Sequence, residues 1–372
     1  MRSPYKISIY DRHYVKQGTL GDALAVEPVL RCNDMGTATL TLGLSNSKLP
    51  DLIEPGSRVV IEQDGDYRIG GPIRGRGGKW SGANGEITLT VEDHFRVFRL
   101  VQGWPVPGAA LSAQTSEYHT VSGPAETVLK TVVQSNAVNR LGWPITIEPD
   151  EGRGANITVS LRFTPILDKL FPVIEAAGLK VTVRHDGAGL RLSVSELVTL
   201  PRTIKESSGT IESVTWNNQP PELTDVIVGG QGEGVERTFR GFTDPALAEL
   251  WGERSEGFRD ARDTDNPLVY EERAAETFAE TGEKSGLAIK FMESKSFAYG
   301  GLDGFVEGNR LKLQIGPKLQ IEDIVRSVAM PWTRNDGLVV SPQIGDITDD
   351  PDEEIGRALR TLAAGQRTER TR

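Results

Sequence analysis

Apolar and polar residues alternate through most of the first hundred positions, and this period of two is typical of half-buried β-strands. Residues 57–73, SRVVIEQDGDYRIGGPI, predict a hairpin in which Gly65 supplies the positive φ of a tight turn. Short strands at this spacing predict a small barrel or sandwich over residues 1–104. The alternation is clearest in three further stretches: KISIYD (6–11), TATLTLGL (37–44) and GEITLTVEDHF (85–95).

From about residue 105 the apolar spacing changes to that of amphipathic helices. One helix is predicted within residues 121–143, with Ser122 as its N-cap, and a second within residues 164–178. Pro172 lies inside the second helix and is expected to bend or break it. Together with a following hairpin, these helices predict an α+β domain over residues 105–204.

Alternating strands return after residue 204, but a charged stretch with two helical patterns interrupts them. The strands occupy residues 205–236 and 296–347, and the interrupting stretch spans residues 237–295. Beyond Pro351, acidic residues precede arginines in a short helical pattern, which is the polarity that a helix dipole favours. We therefore expect a multidomain α+β chain, mostly β, that ends in a helix and a basic tail over residues 348–372.

Two distant β segments repeat the same spacing of glycine, arginine and apolar residues. In each segment the second arginine follows the glycine by 18 residues, and the next strand's glycine follows that arginine by 11. The repetition either reflects the general similarity of hairpins or marks a duplicated β-barrel, whose second copy is split by the charged stretch. The repeated residues are Gly56, Arg58 and Arg74 in the first segment, and Gly308, Arg310 and Arg326 in the second.

The composition is that of a soluble globular protein of two to four domains, since 37% of the 372 residues are hydrophobic and 25% are charged. A net charge of −10 argues against a general nucleic-acid binder, which needs a basic surface. Cys32 is the single cysteine, so a disulfide within the chain and a thiolate zinc cluster are excluded. No apolar run approaches the roughly 20 residues that cross a bilayer, so no membrane insertion is expected.

The loop VGGQGEG, residues 228–234, follows an apolar strand and raises the possibility of a phosphate-binding turn. A dinucleotide fingerprint needs G-x-G-x-x-G before a helix, whereas this loop runs G-x-G-x-G and is followed by a strand-like pattern. No GK[ST] sequence occurs either, so no nucleotide cofactor is expected. We interpret the loop as a joint through which the chain leaves the second barrel, built on Gly229, Gly230, Gly232 and Gly234.

The remaining residues indicate no catalytic or metal-binding chemistry. The four histidines have no H-E-x-x-H or H-x-H spacing, and the abundant carboxylates give no specific pair. Tryptophans beside prolines could stack on sugars, although protein cores and interfaces are the commoner use of such aromatics: Trp104, Trp143 and Trp332. We therefore expect no enzyme, no cofactor and no metal.

The arginine-rich C-terminus has two interpretations. It is either a solvated helix end and tail, or a peptide that docks on an acidic neighbour in an assembly. The sequence leaves both open, because the rest of the chain is acidic. The residues concerned are Arg357, Arg360, Arg367, Arg370 and Arg372.

A family resemblance is carried by five stretches in order: YDRHYVKQGTL, LIEPGSRVVIEQDG with GGPI, EYHTVSGPAETVLKTVV, PPELTDVIVGGQGEGVERTF, and GNRLKL…IEDIVRSV…VVSPQIGD. In their order and spacing these stretches resemble the tail hub proteins of siphophages. The resemblance is greatest to minor tail proteins of phages that infect actinobacteria, which are similar to the baseplate hub of contractile tails. It spans about residues 1–347.

The resemblance implies a structural protein of the virion, located at the tail tip or baseplate and made in the host cytoplasm. In that family two barrel-like domains per subunit form a pseudo-sixfold ring in a homotrimer. The ring joins a hexameric distal tail protein to a central fibre or other tip proteins. It also surrounds the C-terminus of the tape-measure protein and lets DNA pass through in transit. A carbohydrate-binding or cell-wall-hydrolysing tail protein is the alternative function.

Overall fold

The computed structural model describes residues 3–81, 84–208, 210–282, 284–291, 297–301, 304–317 and 319–345. The predicted C-terminal helix and tail, residues 348–372, lie outside these described residues, and so do all five C-terminal arginines named above. No helix within the described ranges is both long and apolar enough to cross a membrane.

The first half-sheet consists of seven strands and one short helix: β1 (Tyr5–Tyr10), β2 (Lys16–Leu20), β3 (Ala25–Arg31), β4 (Thr37–Gly43), α1 (Leu49–Ile53), β5 (Arg58–Gln63), β6 (Asp66–Ser81) and β7 (Asn84–Glu92). Their spatial order is β3-β4-β7-β6-β5-β1-β2, and all neighbours are antiparallel. Alternate residues of β4 are buried, Ala38, Leu40 and Leu42, as the period of two requires.

The middle unit has a separate hydrophobic core formed by three helices packed on short strands. It consists of α2 (Val97–Leu100), β8 (Gln102–Gly103), β9 (His119–Pro124), α3 (Ala125–Val133), β10 (Ile145–Ile147), β11 (Asn156–Leu161), β12 (Thr164–Pro165), α4 (Ile166–Ala176), β13 (Leu179–Asp186) and β14 (Gly189–Glu196). A π-helical segment, Gln134–Asn139, continues α3. Phe95 and Phe98 belong to this core, so the unit begins before the predicted boundary at residue 105.

The rest of the described chain adds eleven strands and two helices: β15 (Thr199–Lys205), β16 (Ile211–Gln219), β17 (Asp225–Gly229), β18 (Phe239–Thr243), α5 (Pro245–Trp251), β19 (Glu256–Asp260), α6 (Pro267–Thr281), β20 (Lys284–Phe291), β21 (Arg310–Ile315), β22 (Leu319–Ala329), β23 (Trp332–Thr333), β24 (Gly337–Leu338) and β25 (Ser341–Gly345). We call β15, β16, β20, β21, β22 and β25 the second half-sheet. The inserted unit is β17–β19 with α5 and α6.

The two half-sheets are continuous with each other, because β22 pairs with β3. Among the described residues, fifteen strands form this one sheet, and one hydrophobic core contains residues of both halves. Ile7 and Leu40 from the first half share it with Leu313 and Ile344 from the second. The sequence predicts two β-barrel domains, and the β22–β3 pairing joins the described strands of the two halves into one sheet.

Strand pairing also corrects the predicted boundaries of the insertion. β17 pairs with β18 and β19, so the insertion begins before residue 237. β20 pairs with β16 and β25, so the chain is back in the second half-sheet before residue 295. β15 likewise pairs with β21 and does not belong to the predicted domain 105–204. The local apolar pattern of a strand does not record which partner it pairs with, and this is why these ends were misplaced.

Candidate functional site

The two repeated segments form hairpins with the same pairing register. Arg58 on β5 faces Pro72 on β6, and Arg310 on β21 faces Ile324 on β22. Both members of the second pair lie 252 positions after their counterparts, which is also the offset between Gly56 and Gly308 in the sequence. The repeated spacing therefore corresponds to a repeated hairpin.

Both hairpins contain a β-bulge at the second repeated arginine. The pairing of β6 with β7 skips Arg74, and the pairing of β22 with β25 skips Arg326. Each bulge lies where the strand finishes pairing with one neighbour and begins pairing with the next, which is a common use of bulges at bends. Arg326 forms an ion pair with Glu175 of the middle unit, whereas Arg74 is exposed. The bend, and not one contact of the arginine, is common to both copies.

The two repeated glycines have nearly the same backbone conformation, with φ of +85° at Gly56 and +88° at Gly308. A Cβ atom on Gly56 would lie 2.8 Å from the Cβ of Arg12. A Cβ atom on Gly308 would lie 2.9 Å from the Cδ of Lys180 and 3.0 Å from the Sγ of Cys32. Both positions therefore need glycine, for the positive φ and for the close approach of a neighbouring segment.

The two half-sheets join through the residues that follow the second bulge. Residues 327–329 of β22 pair antiparallel with residues 29–31 of β3. The equivalent residues after the first bulge, 75–77 of β6, pair only with β7 in the part of the chain that the structure describes. The outer edge of β16, the strand equivalent to β3, is also unpaired among these residues. β6 and β16 are thus equivalent to β22 and β3, the two strands that join the halves, and each has one edge without a partner among the described residues.

The glycine loop VGGQGEG connects β17 to β18 inside the inserted unit. The prediction that it lies where the chain leaves the second barrel is therefore wrong. Arg237 holds the loop, because its Nη2 donates to the Gly229 carbonyl at 2.9 Å and its Nε donates to the Gly230 carbonyl at 3.0 Å. The same guanidinium pairs with Asp260 on β19.

The four loop glycines meet two different requirements. Gly232 and Gly234 have positive φ, of +104° and +54°. Gly229 and Gly230 are needed for space, because a Cβ atom on Gly230 would lie 1.8 Å from the hydroxyl oxygen of the buried Tyr270. These contacts favour a tightly packed turn, and only a three-residue 3-10 turn, Gly234–Glu236, lies between it and β18, in place of the α-helix on whose N-terminus a phosphate binds.

The inserted unit contacts the middle unit through buried and half-buried polar groups of α6. Arg273 pairs with Asp263, and the hydroxyl of Tyr118 in the middle unit donates to the same carboxylate. Burial alone would raise the pKa of Asp263, but the hydrogen bonds from Arg273 and Tyr118 hold it at about 2. Glu272 accepts a hydrogen bond from the backbone N–H of Ser160 at 3.0 Å. Hydrogen bonds to the carboxylates of Asp263 and Glu272 therefore attach the inserted unit to the middle unit.

A cleft of about 390 Å³ lies between the first half-sheet and the middle unit. Its polar wall comes from the first half-sheet: Arg12, His13, Tyr14 and Arg58. Its opposite wall comes from the middle unit: Leu141, Gly142, Trp143, Pro144 and Ala188. The guanidinium carbon of Arg58 lies 4.3 Å from the centre of the Tyr14 ring. Arg58, a residue of the sequence repeat, is thus part of the wall.

The fold brings together two of the histidines that are widely separated in the sequence. The ring centres of His94 and His185 lie 6.3 Å apart, and the Tyr14 ring lies 5.6 Å from His185. Burial, the largest cause in both cases, lowers the pKa of His94 and of His185, which favours neutral rings. Within the described residues, no group of three or more His, Cys, Asp or Glu side chains could hold a metal ion.

The aromatic and thiol side chains singled out in the sequence mostly occupy packed positions. Trp332 is 2% exposed and belongs to the core of the half-sheets. Trp104 lies under the guanidinium of Arg140, 4.5 Å from its carbon, and packs edge-on against Phe163. Cys32 is buried, and burial raises the pKa of its thiol to about 12. Of the three Trp-Pro tryptophans, Trp143 lines the cleft.

Comparison with solved structures shows which fold this is. The chain is similar to the prophage MuSo2 43 kDa tail protein of Shewanella oneidensis, with a TM-score of 0.59, 9% identity and coverage of 91% of this chain and 98% of the other. It is also similar to a tail protein of Neisseria meningitidis MC58, with a TM-score of 0.55, 12% identity and coverage of 92% and 96%. Prophage tail protein gp18 of Listeria monocytogenes EGD-e gives a TM-score of 0.55, 10% identity and coverage of 96% and 99%.

A search of curated protein sequences finds no match. The sequence does match one protein family, described as the Siphovirus ReqiPepy6 Gp37-like proteins, over residues 6–346. This match covers most of the chain, and the fold agrees with the resemblance to siphophage tail proteins found in the sequence. The chain therefore belongs to the Siphovirus ReqiPepy6 Gp37-like protein family and has the fold of phage tail proteins.

Proposed function

We propose that the chain is the structural hub of a siphophage tail, a homotrimer in which six half-sheets alternate around a ring. The observation that carries the proposal is that one edge of β6 and one edge of β16 have no strand partner among the described residues. Within the chain, the second half-sheet joins the first through β22 and β3. The same kind of joint between β6 of one subunit and β16 of the next would continue the sheet and use both edges.

The register of the proposed joint follows from the ladders of the two halves. The bulges at Arg74 and Arg326 are equivalent. When the paired residues are followed from each bulge across the sheet, Pro28 on β3 is equivalent to Trp216 on β16. Ala329 pairs with Val29 at the joint inside the chain. By the same equivalence, Gly77 of one subunit pairs with Asn217 of the next.

The proposed joint is head-to-tail, because each subunit offers a different edge to each of its two neighbours. Head-to-tail contacts form a closed ring when the rotation between subunits closes, and otherwise they form an open filament. Three subunits with two half-sheets each give six positions, which match a hexameric partner. Trp80, 73% exposed on the same part of β6, supplies an aromatic anchor beside the joint.

In this proposal the ring docks on the hexameric distal tail protein on one side and holds the central fibre or other tip proteins on the other. The tape-measure C-terminus and the exiting DNA occupy the channel, and the protein acts in the virion without catalysis. The five C-terminal arginines remain proposed contacts with an acidic neighbour. Family membership and the internal duplication support these roles.

Disulfide trapping between subunits tests the proposal. The full chain carrying Gly77→Cys and Asn217→Cys should form cross-linked dimers and trimers under mild oxidation, and light scattering should give the mass of three chains. An added Cβ at Gly77 meets no atom within 4 Å, so this substitution should not disturb the fold. Gly77→Cys with Ser213→Cys is the control, because four residues of register shift separate the thiols by roughly 13 Å. A monomeric chain, or equal cross-linking of both pairs, would refute the joint.

The glycan-binding alternative has less support in the geometry. Trp332 lies in the core, and the ring of Trp104 already contacts Arg140 and Phe163. Neither ring is free to stack on a sugar without rearrangement. Saturable binding of host cell-wall polysaccharide by the chain alone would restore this alternative.

A further inference from the structure

We propose that the cleft beside Arg58 is a binding site for an acidic peptide segment of a neighbouring tail protein, with Arg58 receiving a carboxylate. Only the source of the peptide rests on the hub function proposed above, because the carboxylate site follows from the side chains of the cleft. The cleft plays no part in the strand edges that form the proposed ring.

The first argument is the isolation of the Arg58 guanidinium. Its Nε is buried without a hydrogen-bond partner, and within the described residues Arg58 makes no ion pair. Its close contact is the Tyr14 ring, which stacks under the guanidinium. Buried charges are normally paired, so a buried Nε without a partner can receive a carboxylate. Burial, the largest cause, lowers the pKa of the Arg58 guanidinium.

Two other half-buried arginines of the chain have carboxylate partners, whereas the half-buried Arg140 stacks on Trp104 and donates to the Gln102 carbonyl. Arg96, close to Arg58, pairs with Glu92 at 2.8 Å, and Arg273 pairs with Asp263. The acids nearest the cleft are already engaged. Asp11 accepts hydrogen bonds from the backbone N–H groups of His13 and Val15, at 2.8 Å and 2.9 Å.

Asp186, two residues before Ala188 of the cleft wall, pairs with Arg191 at 2.6 Å. The rings of His94 and His185 pack against the Tyr14 ring. Their lowered pKa values favour neutral rings, so they add no positive charge beside the Arg58 guanidinium. A carboxylate ligand in the cleft would supply the counter-charge that Arg58 does not receive from the described residues.

The shape and lining of the cleft indicate which anion fits. A volume of about 390 Å³ accommodates one or two side chains, which is more than a phosphate ion needs. Leu141, Trp143 and Pro144 form an apolar wall opposite Arg58 and the exposed Arg12. A carboxylate that belongs to a peptide can meet the guanidinium while its apolar neighbour packs on Trp143. This combination favours a glutamate or aspartate flanked by an apolar residue.

Calorimetric titration of the full chain with acetyl-Leu-Glu-Glu-Leu-amide tests the site. We expect saturable binding that is lost with the Gln-Gln version of the peptide and is weakened about tenfold or more by Arg58→Gln. Arg310→Gln is the matched control, because Arg310 occupies the equivalent position of the second hairpin and lies outside the cleft. Arg58→Lys keeps the charge without the planar fork and should weaken binding several-fold, even if Arg58→Gln fails to fold.

Four results would overturn the proposal. The first is that the Glu peptide does not bind. The second is that Arg310→Gln weakens peptide binding as much as Arg58→Gln does. The third is that inorganic phosphate binds in an Arg58-dependent way while the peptide does not bind. The fourth is tighter peptide binding by a full chain whose own acids have been neutralised to amides, at Asp349, Asp350, Asp352, Glu353 and Glu354. That result would mean that this chain's own acidic stretch competes for the cleft. A monomeric chain that still binds the peptide refutes the ring and leaves the site standing.

Discussion

Replacing Gly230 by alanine should destabilise the inserted unit more than the same substitution at Gly234 in the VGGQGEG loop. The new Cβ would lie 1.8 Å from the Tyr270 hydroxyl oxygen and 2.5 Å from its Cζ. Tyr270 cannot move aside freely, because it is 2% exposed and its hydroxyl donates to the Thr264 carbonyl at 3.0 Å. The backbone N–H of Gly230 also donates to the Thr238 carbonyl at 2.8 Å, which fixes the glycine in place.

The magnitude follows from these contacts. Overpacking a core by about one methyl group costs roughly 1–3 kcal/mol, and losing the tyrosine hydrogen bond costs about 1 kcal/mol more. The total is about 3 kcal/mol for Gly230→Ala. At Gly234 a Cβ meets no atom within 4 Å, but φ is +54°, so alanine there costs only about 1 kcal/mol. The difference of about 2 kcal/mol corresponds to roughly a 30-fold change in the local opening equilibrium.

Hydrogen–deuterium exchange of the full chain measures this difference. Amides of β17, β18 and α6 should exchange roughly 30-fold faster in Gly230→Ala than in Gly234→Ala, while those of β5 and β6 stay unchanged. In a Tyr270→Phe background the shortest contact is gone, so Gly230→Ala should cost less than in the natural chain. Equal effects of the two alanines, or strict additivity with Tyr270→Phe, would show that Tyr270 does not impose the glycine.

Three further predictions concern single sites. Since burial raises the pKa of Cys32 to about 12, Ellman's reagent at pH 8 should label the thiol only on unfolding, and rapid labelling of the native chain would contradict its burial. Because the pKa of Asp263 is lowered to about 2, the stabilisation that its carboxylate gives is present above about pH 4 and is lost as the pH falls towards 2. Asp263→Asn should therefore destabilise the attachment of the inserted unit by up to about 1 kcal/mol at pH 6 but little at pH 2. Hydrogen exchange at the two pH values measures this difference. Gly71→Ala would place a methyl 1.8 Å from the Glu92 carbonyl oxygen and should lower the melting temperature by many degrees. Gly65→Ala should lower the melting temperature much less, because its added Cβ meets no atom within 4 Å.

The features that the sequence predicted well depend on short-range patterns. The hairpin at Asp64 and Gly65 and the alternation in β4 depend on turn chemistry and on the period of a strand. The repeated spacing of Gly56 and Gly308 predicted a repeated unit, and the two hairpins do share their register. The sequence spacing in each copy spans one hairpin and one bulge, so it could be recognised without knowing the tertiary contacts.

The features that were missed depend on contacts between distant residues. β17 has the apolar pattern of a core strand, and nothing within it distinguishes β18 from the second half-sheet as its partner. Ser122 was predicted to cap α3, but it lies in β9, paired with Thr158 of β11. The meeting of His94 with His185 could not be predicted either, because their strands and turns converge only in the fold.

Pro172 shows how solvent exposure can override a local rule. The sequence predicted a bend or break at this residue, and of the two the break is excluded, because α4 runs continuously from Ile166 to Ala176. Pro172 and Asp168, the residue one turn earlier, are both on the exposed side of the helix. A proline on the exposed side of a helix faces solvent, so it costs less there than it would at a buried position.

The two half-sheets are alike in the hairpin and the bulge but differ in the strand beside the hairpin. β1 runs antiparallel to β5, whereas β15 runs parallel to β21. The second half-sheet also accommodates the inserted unit between β16 and β20, which the first half lacks at the loop from β3 to β4. A ring of six such halves would therefore keep sixfold similarity where the repeated strands join. It would have only threefold symmetry where the inserted units and the Arg58 clefts face their neighbours. On that reasoning, a hexameric partner is expected to contact the repeated strands, and a trimeric partner is expected to contact the surfaces in which the halves differ.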